Sequence, residues 1–344
     1  MKKISIIILI GLVSCNSEPK KRIDMAEKQL DIMFYNIENL FDTFDDEYTN
    51  DDDFLPEARK EWDDEKFYNK IDKIGEVILS VNKKGPLFIG MVEVENKYVL
   101  NQLLESRRLR DINYKFCHFD SPDKRGIDVA LIYNKDYFTV NEKEPLVIHL
   151  PKQDKTRDIL YVKGQIVGDD SEYHLFVNHW PSRREGTKKS EPKRIEVAIV
   201  LRNKIDEIQT KDDTAKIIVM GDFNDYPNNN SIKNYLKAKN SSNISSNELF
   251  NLAARLEDND KGSYNYKGDW GMMDQMMVSK SMLDETKGKY SVNQKGLKIF
   301  DEDFIMYFDK RYNELKPNKT YGGDNYYGGY SDHLPIYIRL KTKK

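Results

Sequence analysis

Ile217-Ile218-Val219-Met220-Gly221-Asp222-Phe223-Asn224 holds an apolar run that stops abruptly on an acid and an amide. The run reads as a strand, and just before it Ile195, Ala198, Ile199, Arg202 and Ile205 recur at helical spacing. Polar residues that close an apolar strand lie at the rim of a sheet, where sites are built. Outward from this stretch the same arrangement repeats. Asp31 to Ile37 is a compact strand candidate. Phe67, Ile71, Ile74, Ile78 and Val81 fall at helical spacing ahead of a strand from Leu87 to Val92, which ends at Glu93. A helix from Tyr98 through Leu104 follows. Strands are then expected near Tyr114 to Phe119, Asp128 to Tyr133, Ile159 to Val167 and Tyr173 to Asn178, the last ending at His179. Helices alternating with strands, with hairpin-like pairs in the middle, predict an α/β (α+β) fold of mixed sheets covered by helices.

The two ends of the chain differ from this body. Lys2 and Lys3 precede an apolar run from Ile4 to Leu12, too short to span a bilayer, which reads as an export signal. Leu12-Val13-Ser14-Cys15 looks like a bacterial lipobox, so residues 1–15 are expected to be a lipoprotein signal peptide and Cys15 the lipidation site. Two acyl chains at about 0.8 kcal/mol per buried methylene would hold the chain to a membrane. Residues 16–28 are polar and aperiodic and read as a tether, leaving 29–344 as one large domain. The expected location is the bacterial cell envelope, with the membrane as a partner through the anchor and the protein a monomer. The sequence holds 2 cysteines, Cys15 and Cys117, so lipidation of the first leaves no internal disulfide.

A formal charge of −3 over 344 residues gives no global basic field. Tight, counterion-driven nucleic-acid binding is therefore not indicated, although a catalyst that only visits a phosphate does not need it. The acids from Asp45 to Asp53 read as a solvated loop, Asn228 to Asn247 as one short helix candidate within a surface insertion, and Tyr321 to Tyr330 as a flexible aromatic loop.

The residues at the strand ends agree with one task. Glu93, Asp222, Asn224 and Asp332 offer oxygen ligands suited to a hard cation, and His333 beside Asp332 suits a general base. The sequence has neither a cysteine or multi-histidine cluster for zinc nor a Gly-x-Ser-x-Gly elbow. Attack of water on phosphorus, assisted by a metal, is the reaction that fits.

Seven segments in order carry a resemblance: Phe34-Tyr35-Asn36-Ile37-Glu38, Gly90 to Glu95, Arg125 to Tyr133, Val177-Asn178-His179-Trp180, Gly221 to Asp225, Met273-Asp274-Gln275-Met276 and Ser331-Asp332-His333. Together they resemble the endonuclease/exonuclease/phosphatase superfamily, the DNase I-like enzymes. The resemblance implies a four-layer αββα sandwich with a divalent metal, Mg2+ first and Ca2+ or Mn2+ as alternatives. It implies that Glu93, Glu38, Asn36 and Asp332 hold metal and phosphate, and that His333 takes the proton of the attacking water. Asp274 would orient His333, with Asp269 as the fallback. Asp222 and Asn224 would position the nucleophile. His179, oriented by Asp128, would serve the non-bridging oxygen or the leaving group. Arg183 and Arg184 could clamp phosphate. The expected activity is that of a nuclease on DNA or RNA. The alternatives are a phosphatase or phosphodiesterase on lipid headgroups or small organophosphates, and a non-catalytic surface-binding lipoprotein.

Overall fold

A computed structural model describes residues 29–241, 243–286 and 288–342. The export signal, Cys15 and the tether lie outside the described residues. In chain order the strands are β1 (Asp31–Leu40), β2 (Phe88–Val94), β3 (Tyr114–His118), β4 (Asp128–Asn134), β5 (Phe138–Leu146), β6 (Ile159–Ile166), β7 (Glu172–His179), β8 (Lys216–Asp222), β9 (Ala238–Lys239), β10 (Leu249–Asn251), β11 (Tyr264–Tyr266), β12 (Asp269–Gly271), β13 (Asp274–Ser279), β14 (Tyr290–Val292), β15 (Lys298–Ile299), β16 (Met306–Asp309), β17 (Glu314–Pro317), β18 (Tyr321–Gly322), β19 (Asn325–Tyr326) and β20 (Ile336–Thr342). The long helices are α1 (Asp64–Val81), α2 (Lys97–Glu105) and α3 (Thr187–Lys211).

One sheet runs β14-β20-β1-β2-β4-β3, with β15 also on β20, and the other β5-β6-β7-β8-β13-β10-β9. Both are mixed: β1 and β2 are parallel, as are β7 and β8, while most other pairs are antiparallel. The layers follow from side-chain parity, because successive residues of a strand face opposite ways. In β8, Ile218 and Met220 enter the core between the sheets, and Ile217 and Val219 pack under α3 with Leu201 and Ile205. In β1, Ile32 and Phe34 join the same inner core, and Met33 and Tyr35 pack under α1 and α2 with Ile74 and Leu103. Continuous apolar strands are what a sheet buried on both faces requires. The result is helix, sheet, sheet, helix, the sandwich expected from the sequence. The two sheets approach closely at Gly90 of β2, where an added Cβ would lie 2.5 Å from Met220 Sδ of β8.

Two expectations are corrected. The Asn/Ser-rich stretch after Asn228 is not merely surface: Ile232, Leu236 and Ala238 are buried under α3, and β9 extends the second sheet. The segment from Tyr321 to Tyr330 is strapped to α1. Asn69 donates to the Tyr326 hydroxyl at 2.9 Å, Tyr330 donates to Glu76 at 2.9 Å, and Tyr321 packs against Trp62. A Tyr/Gly composition suggests looseness only until the aromatic rings find apolar surface.

Candidate active site

At one rim of the sandwich the inner-face parity delivers polar residues from both sheets. Asn36 continues the Ile32, Phe34 face of β1, Asp222 the Ile218, Met220 face of β8, Asp274 the Met276, Val278 face of β13, and His179 the Leu175, Val177 face of β7. Asn36 Nδ2 donates to Asp222 Oδ2 at 3.1 Å across the sheets. Glu93 has the wrong parity for this face. It reaches the site because β2 bulges there, with Glu93 at φ 65° and the β2–β4 register broken between Val92 and Val94. A matching bulge in β1 puts Glu38 and Asn39 at φ 53° and 51°. Positive φ in non-glycine residues stores strain, and here it clusters where the acids must be aimed. Gly221 is needed for another reason: a Cβ would stand 2.5 Å from the Asn178 carbonyl oxygen of β7.

His333 and Asp274, the expected base and its expected orienting acid, are in contact. His333 Nδ1 lies 2.7 Å from Asp274 Oδ2, and Ser263 Oγ donates to the same oxygen at 2.5 Å. The Tyr264 ring packs over the imidazole with centroids 4.6 Å apart. Burial opposes the charged form of His333, but Asp274, Asp222 and Asp332 outweigh it, so its pKa is raised well above the ordinary value. Across the site the order is reversed. His179 is buried, and burial together with Arg157, Arg125 and His333 holds its pKa well below the ordinary value. Its Nε2 lies 3.7 Å from Asp222 Oδ2 and 3.9 Å from Glu93 Oε1. His333 Nε2 is 3.9 Å from that same Asp222 oxygen. Two imidazoles with pKa values shifted in opposite directions thus neighbour one carboxylate, whose own pKa is pushed up to about 6 by burial and, against the pull of His333, by Asp274 and Glu93. Asn224 N caps Asp222 Oδ1 at 2.9 Å, and Asn224 Nδ2 donates to the Trp180 carbonyl at 3.0 Å.

Several expected residues sit elsewhere. Asp128 does not orient His179. It has the parity of Ala130 and Ile132, which pack under the helices, not that of Val129 and Leu131, and it meets His118 Nε2 at 3.1 Å. Glu38, at the β1 bulge, is engaged by the backbone: its oxygens accept Thr320 N at 2.6 Å and Tyr321 N at 3.1 Å. Burial first and then Asp332 push its pKa up to about 7. Arg183 is not free to clamp phosphate: it donates to Asn224 O, Asp225 and Asn229 and stacks on Tyr226, bracing the loop after β8. Arg184 is exposed on the same turn, and Asp269 is exposed on β12 and takes no part.

Residues that sequence reasoning missed include Lys70 and Arg157. Lys70 is buried, bonded through Nζ to Thr320 Oγ1 and, at 2.7 Å, to the Tyr330 carbonyl. Burial lowers its pKa to about 8, against the pull of Glu38, Asp332 and Glu93. A lysine inside the apolar stripe of α1, between Phe67 and Ile71, was the available signal. Arg157 donates to the His179 and Trp180 carbonyls at 3.2 and 2.7 Å and to Asp123 at 2.8 Å. Nothing in its sequence neighbourhood marked it.

The donor set fits a hard divalent cation. Glu93 keeps Oε1 turned toward His179 while Oε2 accepts Asn39 N at 2.9 Å. Asp332 is pushed above its ordinary pKa by burial and, against the pull of His333, by Glu93. Carboxylates crowded in this way gain from a cation.

Opposed acids and imidazoles at a sandwich rim, with oxygen ligands for a hard ion, define a hydrolase of phosphate esters. The chain belongs to the Endonuclease/Exonuclease/phosphatase family, whose model matches residues 31–342. Members of that family hydrolyse phosphoester bonds and depend on divalent metals. No curated protein sequence matches the chain significantly. Solved structures share the fold at low identity. The human nocturnin catalytic domain with bound sulfate has TM-score 0.56 and 16% identity, covering 91% of this chain and 94% of that one. D. rerio TDP2 with a single-stranded DNA product gives 0.55 and 16%, covering 92% and 100%. A mannosyl-6-phosphatase of Bacteroides thetaiotaomicron gives 0.53 and 17%, covering 91% and 99%.

Proposed function

We propose that the protein is a phosphodiesterase that cleaves nucleic acid. The observation that carries the reading is the pair of imidazoles on either side of Asp222, His179 Nε2 at 3.7 Å and His333 Nε2 at 3.9 Å from one oxygen. A phosphoryl group seated there meets His333, a proton acceptor once it has lost its own proton, and His179, which burial keeps neutral. In its deprotonated form His333 takes the proton of the attacking water, and Asp274 holds the imidazolium that forms. The oxygen–phosphorus bond to the leaving group breaks as the new one forms, and the departing alkoxide takes a proton from solvent water. The neutral Nε2–H of His179 donates to a phosphoryl oxygen, while Asn224 and Asp222 fix the water. Glu93 and Asp332, with Asn36 beside them, would hold the divalent cation, which when bound neutralises charge building on the phosphoryl oxygens.

Nucleic acid is favoured by the hairpin β11–β12. It reaches the site through Tyr264, leaves Tyr266 exposed, and sets Lys267 Nζ 5.2 Å from the Tyr266 ring, an aromatic face and a cation of the kind that bases and backbone use. The export signal and lipobox support an envelope location, with substrate arriving from outside the cytoplasm and Mg2+ as the working ion.

The test is nicking of supercoiled plasmid and cleavage of RNA by the purified chain, with magnesium, with chelator, and with His333→Ala. Metal-dependent cleavage lost by a factor of about 10² or more in the variant is expected. Intact nucleic acid beside metal-dependent release of phosphate from sugar phosphates or lipid headgroups would move the substrate to the phosphatase branch.

A further inference from the structure

We propose that His118 and Asp120 form a second divalent-metal site, separate from the rim described above and suited to an ion of the zinc class, with Asp128 orienting the imidazole. The site lies where β3 ends and β4 begins, on the helix-covered face of the first sheet. The His118 side chain is fully buried, and its Nε2 is 3.1 Å from Asp128 Oδ2. The other oxygen of Asp128 is already taken by Ser121, through its backbone N–H at 2.9 Å and its hydroxyl. An acceptor on that side requires the proton on Nε2, which leaves the lone pair on Nδ1.

That Nδ1 has no hydrogen-bond partner among the described residues and is shut off from water. A buried acceptor left empty is costly. It faces Asp120 Oδ1 at 3.8 Å, too far for a hydrogen bond. Two ligands each about 2.0 Å from one zinc ion stand about 3.3 Å apart at the tetrahedral angle and further apart as the angle opens. A shift of a few tenths of an ångström in the exposed Asp120 side chain brings this pair to that spacing. Among the described residues, His118, Asp120 and Asp128 form one of two groups of His and acid side chains whose polar atoms converge. A carboxylate, a histidine and then an open nitrogen is the order in which proteins present imidazole to a metal. One imidazole with one carboxylate favours zinc or a neighbouring first-row dication over magnesium or calcium. Lys97 Nζ stands 3.8 Å from Asp120 Oδ2, but both side chains are exposed and the contact is loose.

An ion here would pin the root of the 119–127 loop. That loop carries Asp123, the ion-pair partner of Arg157, whose guanidinium holds the His179 and Trp180 carbonyls, and Arg125, which reaches Asn39 beside the β1 bulge. The site is therefore structural and reports on the geometry of the rim without touching substrate.

The test titrates zinc into metal-free full-length chain against a chromophoric chelator, comparing wild type, Asp120→Ala, His118→Gln and Glu93→Gln, with thermal midpoints recorded in parallel. Wild type and Glu93→Gln should share a zinc equivalent that Asp120→Ala and His118→Gln lose or bind at least tenfold more weakly. The zinc-dependent rise in midpoint should shrink in the same two variants. Asp120 is exposed, so its variant folds and keeps the test decisive if His118→Gln does not. Equal stoichiometry and an equal rise in wild type and Asp120→Ala would overturn the proposal.

Discussion

Asp274 has two effects on His333: it fixes which ring nitrogen is free, and it raises the pKa at which that nitrogen becomes a base. Activity should therefore climb with pH through the ionisation of His333. Asp274→Asn removes the largest of the charges raising that pKa, so the rising limb of kcat/KM should move to lower pH while kcat falls by about 10² to 10⁴. A limb that stays in place, measured by steady-state kinetics across the pH range, would detach Asp274 from the base. At this scale the sequence was most legible. Residues that directly end an apolar strand, such as Asp222 and His179, could be placed by parity alone. Those whose direction depends on a bulge could not. Glu38 and Glu93 look equivalent in sequence, yet the first is taken up by the backbone N–H groups of Thr320 and Tyr321 and the second faces His179 from its bulge.

At the scale of elements, α1 and the strap from Asn318 to Tyr330 form one unit joined by Lys70. Its ammonium lies among Glu38, Thr320 and the Tyr330 carbonyl, and the strap leads directly into Ser331, whose hydroxyl donates to Asn36 O at 2.7 Å. Lys70→Met takes away the cation that favours the charged form of Glu38, whose pKa burial has already pushed up to about 7, and strips the Thr320 hydroxyl and Tyr330 carbonyl of a donor; a loss of about 1–3 kcal/mol is expected in chemical denaturation. Adding Glu38→Gln should recover part of it, because the charge that needed Lys70 is then gone. Additive losses in the double variant would show the two to be uncoupled. The three long helices and seven strands, β1 to β4 and β6 to β8, were visible as periodicity, while the short strands after β8 were not. β5, β13 and β20 were not anticipated as strands: β5 is polar on its outer face, and the other two follow functional motifs whose polar residues masked the apolar run behind them. Nor could sequence show that α3 begins as early as Thr187, because its first turns are charged and carry Pro192.

For the whole molecule, the fit of the two sheets can be tested at Gly90. Gly90→Ala pushes a methyl group against Met220 and should cost about 1–3 kcal/mol, seen as a lower denaturation midpoint with an unchanged slope. The pH dependence of stability should also carry the mark of Glu95, which burial first and then Asp42, Asp51 and Asp46 push up to about 8. A carboxyl whose folded pKa exceeds its unfolded value keeps its proton in the fold after the unfolded chain has lost it. Stability therefore declines between the ordinary glutamate pKa and about 8. Glu95→Gln should flatten that decline in calorimetric scans, and an unchanged slope would place the titrating group elsewhere.

The position of β20 bears on how such a chain is made. It pairs with β1 on one edge and with β14 and β15 on the other, and it directly follows Ser331-Asp332-His333. Until residues 336–342 leave the ribosome, the first strand of the protein has no neighbour on that side, and the inner core lacks Ile336 and Ile338. Asp31 pairs with Arg339, and pairing between segments so distant in sequence is of the kind that slows folding. His333, the proposed base, lies just ahead of β20, so the site is completed only as that strand docks beside β1.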